Sequence, residues 1–226
     1  MSVSELSPSA QNYLKAVWGL TEWSNAPVTP SLVAERTGLK LSSVSDAIRR
    51  LTAQGLLSHA RYGSVELTEA GRGYALAMVR RHRLIEAFLV SVLGYSWDQV
   101  HDEAEHLEHA VSDFMIDRID AFLGFPSRDP HGDPIPTADG TVSIPTASQL
   151  SELGPGARVV VERISDSDSA LLQFFEGHGI VVGAELDVAE GPAFSDAMGV
   201  RVVGRPGAVT LGRTATDALY VSLAPA

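Results

Sequence analysis

Thr29-Pro30-Ser31-Leu32-Val33-Ala34-Glu35-Arg36-Thr37, then Gly38, then a helical run from about Ser42 to Gln54, reads as two short helices broken by a glycine. That is the pattern of a helix-turn-helix. Upstream, Tyr13, Leu14, Val17, Trp18 and Leu20 make one apolar stripe at helical spacing, with Ser7-Pro8 as cap and first-turn signal, so a helix precedes the pair. Downstream, Leu56 to Arg61 and Ser64 to Thr68 are short strand-like runs around Tyr62-Gly63. A hairpin in that position is a wing, and the first third of the chain reads as a winged helix-turn-helix.

Lys40, Ser42, Ser43, Ser45, Asp46, Arg49 and Arg50 fall on the second helix of the pair, the recognition helix, and Arg61 falls on the wing. Short hydroxyl side chains near a helix N-terminus can contact phosphates or base edges, and the arginines suit phosphate. No Arg, Asn or Gln stands at the helix start to grip a base with two hydrogen bonds. Specificity is therefore expected from DNA shape and from apolar contacts with thymine methyl groups.

A long helix is expected from about Glu69 to Val92, and another, continuous or interrupted, from about Ser96 to Leu123; together they should make an antiparallel helical hairpin. Pro126, Pro130, Pro134, Pro136 and Pro145, with several Gly and Asp, make regular structure improbable over 126–150, which reads as a linker. Beyond it, Arg158–Ile164, Glu185–Ala189, Gly199–Val203, Val209–Leu211 and Tyr220–Leu223 are five short strands, with one helix near Ser169–His178. A small β-barrel of SH3-like type fits them. The expected architecture is mainly α with small β parts: a winged helix-turn-helix over 1–73, a helical domain over 74–125, the linker, and an SH3-like domain over 151–226.

The 226 residues include no cysteine, which excludes a disulfide framework, a thiolate zinc site, an iron–sulfur cluster and a cysteine nucleophile. Any metal must take N and O ligands. With no basic, apolar leader and no long uncharged apolar run, a cytoplasmic protein without a membrane span is expected. The net charge of −11 argues against general nucleic-acid binding, but it is unevenly spread. Residues 1–83 hold 10 Lys and Arg against 6 Asp and Glu, whereas residues 84–125 hold 1 against 9. Only the first third could meet DNA without repulsion.

The helical hairpin also holds four of the seven histidines: His82, His101, His106 and His109. At 3.6 residues per turn, His101, Glu105, Glu108 and His109 make one stripe beside the apolar stripe Val100, Ala104, Leu107 and Val111. His82 and Glu86 are one turn apart on the preceding helix. Any one of these residues could belong to a solvated acidic face; together on two helices they repel unless a cation joins them. His106 and Asp102 point elsewhere. No GxSxG, HExxH or glycine-rich phosphate loop supports enzymatic chemistry.

His82-Arg83-Leu84-Ile85-Glu86, the run from His101 to His109 followed by Ser112-Asp113, and Gly124-Phe125-Pro126 to Pro130-His131-Gly132 with Ile135-Pro136 resemble the diphtheria toxin repressor family of metal-dependent transcriptional regulators, in particular its manganese-responsive branch. The resemblance covers essentially the whole chain. It implies a homodimer that represses metal-uptake genes by binding double-stranded operator DNA, with two or more metal sites per subunit. The primary site would comprise Asn12, Glu105, Glu108 and His109. Iron-sensing members present Met and Cys at the positions of Asn12 and Glu105, and manganese sensors a carboxylate at both. Glu105 therefore argues for Mn²⁺, with Fe²⁺ as the alternative activator, while Asn12 departs from both patterns. An ancillary site would use His82, Glu86 and His101, with Asp129, His131 and Asp166; Asp168 competes with Asp166. Losing Glu108 is expected to abolish metal-dependent DNA binding and leave the metal-free fold nearly intact. The rival readings are a metalloenzyme or metal-storage protein using the same cluster, and a winged-helix sensor of an organic ligand.

Overall fold

The computed structural model describes residues 3–59 and 63–224. Arg61, expected on the wing, lies outside the described residues. Helix α1 (Pro8–Glu22) starts where the sequence signals it: Ser7 accepts a hydrogen bond from the Ala10 amide, and Pro8 fills the first turn. Helix α2 (Pro30–Thr37) is capped by Thr29 and stopped by Gly38 at φ 66°, a left-handed conformation that favours glycine. Helix α3 (Leu41–Ala53) buries Val44, Ala47, Ile48 and Leu51 and exposes the opposite face. Strands β1 (Leu57–His59) and β2 (Val65–Leu67) pair antiparallel, Leu57 opposite Leu67, giving the wing. Tyr13, Leu14, Val17 and Trp18 of α1 pack with these α3 residues and with Leu57 and Val65 in one core.

Helix α4 (Glu69–Leu93) matches the expected long helix. The second helix of the expected hairpin is two: α5 (Val100–Leu107) and α6 (Asp113–Phe122). The break has a physical reason. The Arg81 guanidinium, buried, donates to the carbonyls of Glu108 and Val111 and pairs with Asp113, satisfying carbonyls freed where α5 ends. Ser112 then caps α6 by accepting from the Met115 amide at 3.2 Å.

The chain divides into two compact units, Met1–Ile85 with Glu105–Phe122 and Pro136–Val142, and Glu86–Ala104 with Leu123–Ile135 and Ser143–Ala226. The second unit contains a six-stranded sheet in the order β3-β8-β4-β5-β6-β7, formed by β3 (Ser148–Gln149), β4 (Arg158–Ile164), β5 (Glu185–Glu190), β6 (Met198–Val202), β7 (Val209–Leu211) and β8 (Leu219–Leu223). All five expected strands are present, but the expected barrel is an open sheet: among the described residues nothing pairs β3 with β7. Closure needs the two edge strands to pair with each other, and here β3 pairs with β8 and β7 with β6. Helices α7 (Ser169–His178) and α8 (Arg213–Asp217) complete the unit, whose core joins Trp97, Leu150, Val159, Phe175 and Leu186. The 126–135 stretch is fixed without being regular. Asp129 accepts from the His131 and Asp133 amides, both at 2.9 Å, and Arg163 holds Asp133. No helix among the described residues is long and apolar enough to cross a membrane.

Candidate metal centre

In the first unit, α1 and the end of α5 bring together Gln11, Asn12, Lys15, Glu105, Glu108 and His109, with His82 from α4. Single ligand atoms of His82, Glu105 and Glu108 lie within 4.8 Å of one another. Glu108 has no exposed side-chain surface; its Oε2 is 2.6 Å from His82 Nδ1. Burial alone would push the Glu108 carboxyl up. The His82 hydrogen bond and the Lys15 charge overcome it and hold the group below its ordinary value.

Gln11 decides how His109 presents itself. Its amide nitrogen donates to the carbonyls of Val3 and Leu6 at 2.8 and 3.0 Å, so its oxygen faces the His109 ring at 2.6 Å. An oxygen there requires Nδ1 to carry the proton. Nε2 is then the ring nitrogen left to act as a ligand, 3.7 Å from Glu108 Oε1. The Oδ1 atom of Asn12 is buried with no hydrogen-bond partner among the described residues. An orphaned amide oxygen, an imidazole nitrogen beside a carboxylate and two converging glutamates are a donor set suited to a hard divalent cation.

A second set lies wholly in the other unit. His101 Nδ1 is 3.3 Å from Glu86 Oε1 and 3.0 Å from Asp166 Oδ2. Glu86, Asp129 and His131 also converge within 4.8 Å. The His131 Nε2–H donates to the Trp97 carbonyl at 2.7 Å, leaving Nδ1 buried, 3.8 Å from Glu86 Oε2 and without a hydrogen-bond partner among the described residues. Burial works against charge on both rings, but the carboxylates outweigh it. Asp166 and Glu86 raise His101 to about 10, and Glu86, Asp129 and Asp166 raise His131 to about 9. His101 in turn holds the buried Asp166 carboxyl well below the usual range. The cluster thus demands positive charge, supplied by protons or by metal.

Asp168 is not at this cluster; it caps α7 by accepting from the Ala170 and Leu171 amides. His106 and Asp102 are exposed, as the helical spacing predicts. The resemblance assigns His82 to the second set; its Nδ1 also lies 2.6 Å from Glu108 Oε2 of the first. Gln11 and Lys15 escape the sequence reading. Both lie within a turn of Asn12 on α1, and projecting that helix beyond its apolar stripe would have found them. On the recognition helix Lys40, Ser42, Ser43, Ser45, Asp46, Arg49 and Arg50 are all exposed, as are Leu39 and Leu41; Asp46 is paired with Arg49 at 2.8 Å.

Residues 5–65 match the N-terminal DNA-binding domain of iron-dependent repressors, residues 68–137 their metal-binding and dimerisation domain, and residues 148–223 the FeoA domain. The iron-dependent repressor IdeR of Mycobacterium leprae (strain TN) is 33% identical over 84% of this chain and 88% of its own length. The chain belongs to the iron-dependent repressor family. Members of this family are metal-dependent, DNA-binding transcriptional repressors and not enzymes, and the diphtheria toxin repressor of Corynebacterium glutamicum, 30% identical over 82% of this chain and 86% of its own, is another relative. Among solved structures, a manganese-dependent transcriptional repressor in complex with manganese is 50% identical, covering 95% of this chain and all of its own with a TM-score of 0.91. The manganese regulator SloR is 29% identical, covering 97% and 100%, with a TM-score of 0.80.

Proposed function

We propose that this repressor is activated by Mn²⁺, with Fe²⁺ as the alternative activator, and that as a homodimer it silences metal-uptake genes. The observation that carries the reading is the first donor set: carboxylate oxygens of Glu105 and Glu108, Nε2 of His109 and the orphaned Oδ1 of Asn12, with no sulfur among them. Soft ligands would favour softer metals, and this set offers only hard oxygen and imidazole. The 50%-identical manganese-dependent repressor in complex with manganese supports the same choice, whereas the Mycobacterium leprae relative carries iron in its name. Glu86, His101, Asp129, His131 and Asp166, together with His82 as the resemblance assigns it, form the ancillary site in this reading. The domain boundaries are 73, 125 and 150.

A divalent cation held by Asn12, Glu105, Glu108 and His109 would supply positive charge where α1 meets the end of α5. Asn12 and Gln11 sit on the helix that packs against the DNA-binding core, so fixing α1 fixes the attitude of α3. Coupling of about 1–3 kcal/mol, usual for allosteric proteins, would tighten DNA binding roughly 5- to 150-fold. Phe114, Met115 and Phe122, exposed on α6 inside the segment that matches the dimerisation domain, suit the subunit contact. The test is retention of the host's genomic fragments by the metal-free protein, with and without Mn²⁺, at fixed near-physiological salt. Enrichment of a few fragments only with metal is expected. Equal retention with and without Mn²⁺, or none, refutes the reading.

A further inference from the structure

We propose that Lys15 is a built-in rival of the regulatory cation: its ammonium holds the place between Glu105 and Glu108, and it must swing out before a divalent ion can be bound there. The inference rests on the first donor set being the regulatory site. Lys15 Nζ lies 2.5 Å from Glu105 Oε1 and 2.7 and 2.8 Å from the two oxygens of Glu108. An ammonium has three protons to donate, and here three carboxylate oxygens of the candidate ligands receive them. Only 17% of the side chain is exposed. The arrangement is therefore built into the site rather than lying on its rim.

These distances are close to the roughly 2.0–2.6 Å at which hard divalent cations hold oxygen, so ammonium and metal compete for the same atoms. They cannot share them. A dication on the same oxygens would stand within a few ångströms of the ammonium, where like charges repel strongly in a site largely shielded from water. Lysine suits the role because its four-carbon stem lets the charge leave for solvent while the stem stays packed.

Two consequences follow. Without metal, Lys15 neutralises the half-buried Glu105 and the fully buried Glu108, whose like charges would otherwise repel. With metal, its displacement lowers the apparent affinity and so raises the concentration at which the repressor responds. Lys15 thereby sets the threshold of the switch, and it favours a dication that outcompetes a single positive charge.

The test uses the full chain at fixed pH and salt, with free Mn²⁺ read by electron paramagnetic resonance and the thermal midpoint recorded in chelator and in Mn²⁺. Lys15→Met should bind Mn²⁺ at the first site at least tenfold more tightly than the parent. It should also melt lower in chelator and gain more on adding Mn²⁺. Lys15→Arg, which keeps the charge, should stay within a few-fold of the parent. A folded Lys15→Met chain with unchanged or weaker Mn²⁺ affinity overturns the proposal. If that variant does not fold, the ammonium resonance of Lys15 in the parent decides: it should be protected from exchange in the metal-free chain and lose that protection on adding diamagnetic Cd²⁺. Persistence of the protected signal at saturating Cd²⁺ refutes displacement. A parent that binds Mn²⁺ and DNA as proposed, with Lys15→Met unchanged, sinks this inference alone. A parent that binds no Mn²⁺ sinks the regulatory reading with it.

Discussion

Glu108→Ala should lower the thermal midpoint of the metal-free chain by about 6–12 °C, in addition to abolishing metal-dependent DNA binding. The sequence alone suggests otherwise, because a carboxylate on an acidic helix stripe looks expendable without metal. The structure gives Glu108 no exposed side-chain surface and two cationic or proton-donating partners, Lys15 at 2.7 and 2.8 Å and His82 at 2.6 Å. Removing one partner of a buried pair costs about 3–5 kcal/mol; Lys15 keeps Glu105 and can reach solvent, so the lower end, about 3 kcal/mol, is expected. A chain of this size loses about 2–4 °C per kcal/mol. Because Glu108's folded pKa lies below its ordinary 4.5, its stabilisation is present above that pH and is lost as pH falls through the folded value. The assay is thermal unfolding in chelator at pH 7 and again below pH 4.5. A variant melting within about 2 °C of the parent at neutral pH, or a difference that does not shrink in acid, would refute the reasoning.

The second cluster should bind metal with a steep pH dependence. His101 and His131, raised to about 10 and about 9, must each expel a proton, so titrations between pH 7 and 8.5 should show affinity rising up to about a hundredfold per pH unit, and a flat profile would count against the cluster. In the metal-free chain the same two groups stabilise the fold fully below about pH 6.5, and that contribution is lost as pH climbs through 9 to 10, which melting curves in chelator would register. Gly132→Ala should destabilise by about 2–3 kcal/mol or more and weaken metal binding at His131. Gly132 has φ +90°, and an added Cβ would lie 2.1 Å from the Glu162 carbonyl oxygen; a variant with parental stability would show that the turn yields freely.

Much of the fold is legible in the chain because its signals are local. Ser7-Pro8 starts α1, Gly38 ends α2, and the apolar stripe Val44, Ala47, Ile48 and Leu51 makes α3 a helix with one buried and one charged face. The same periodicity puts Glu105, Glu108 and His109 on one line and sends Asp102 and His106 outward. The five strands after residue 157 announce themselves by alternation between glycines.

What tertiary structure alone decided depends on partners far apart in sequence. The break between α5 and α6 comes from Arg81, about 30 residues upstream, supplying the hydrogen bonds that the helix would otherwise make itself. Whether the last strands close into a barrel or stay an open sheet depends on which strands pair across the sheet, which no local pattern records. The choice of Asp166 over Asp168 rests on which carboxylate turns towards His101 and which is spent capping a helix. Lys15 and Gln11 look, in one dimension, like ordinary polar residues beside an apolar stripe. Only folding brings them within hydrogen-bond reach of carboxylates and imidazole some 90 residues away, where Gln11 fixes a tautomer and Lys15 supplies a charge. Local sequence sets which residues share a helix face, because helical geometry is the same everywhere; which faces meet is a property of the packed chain.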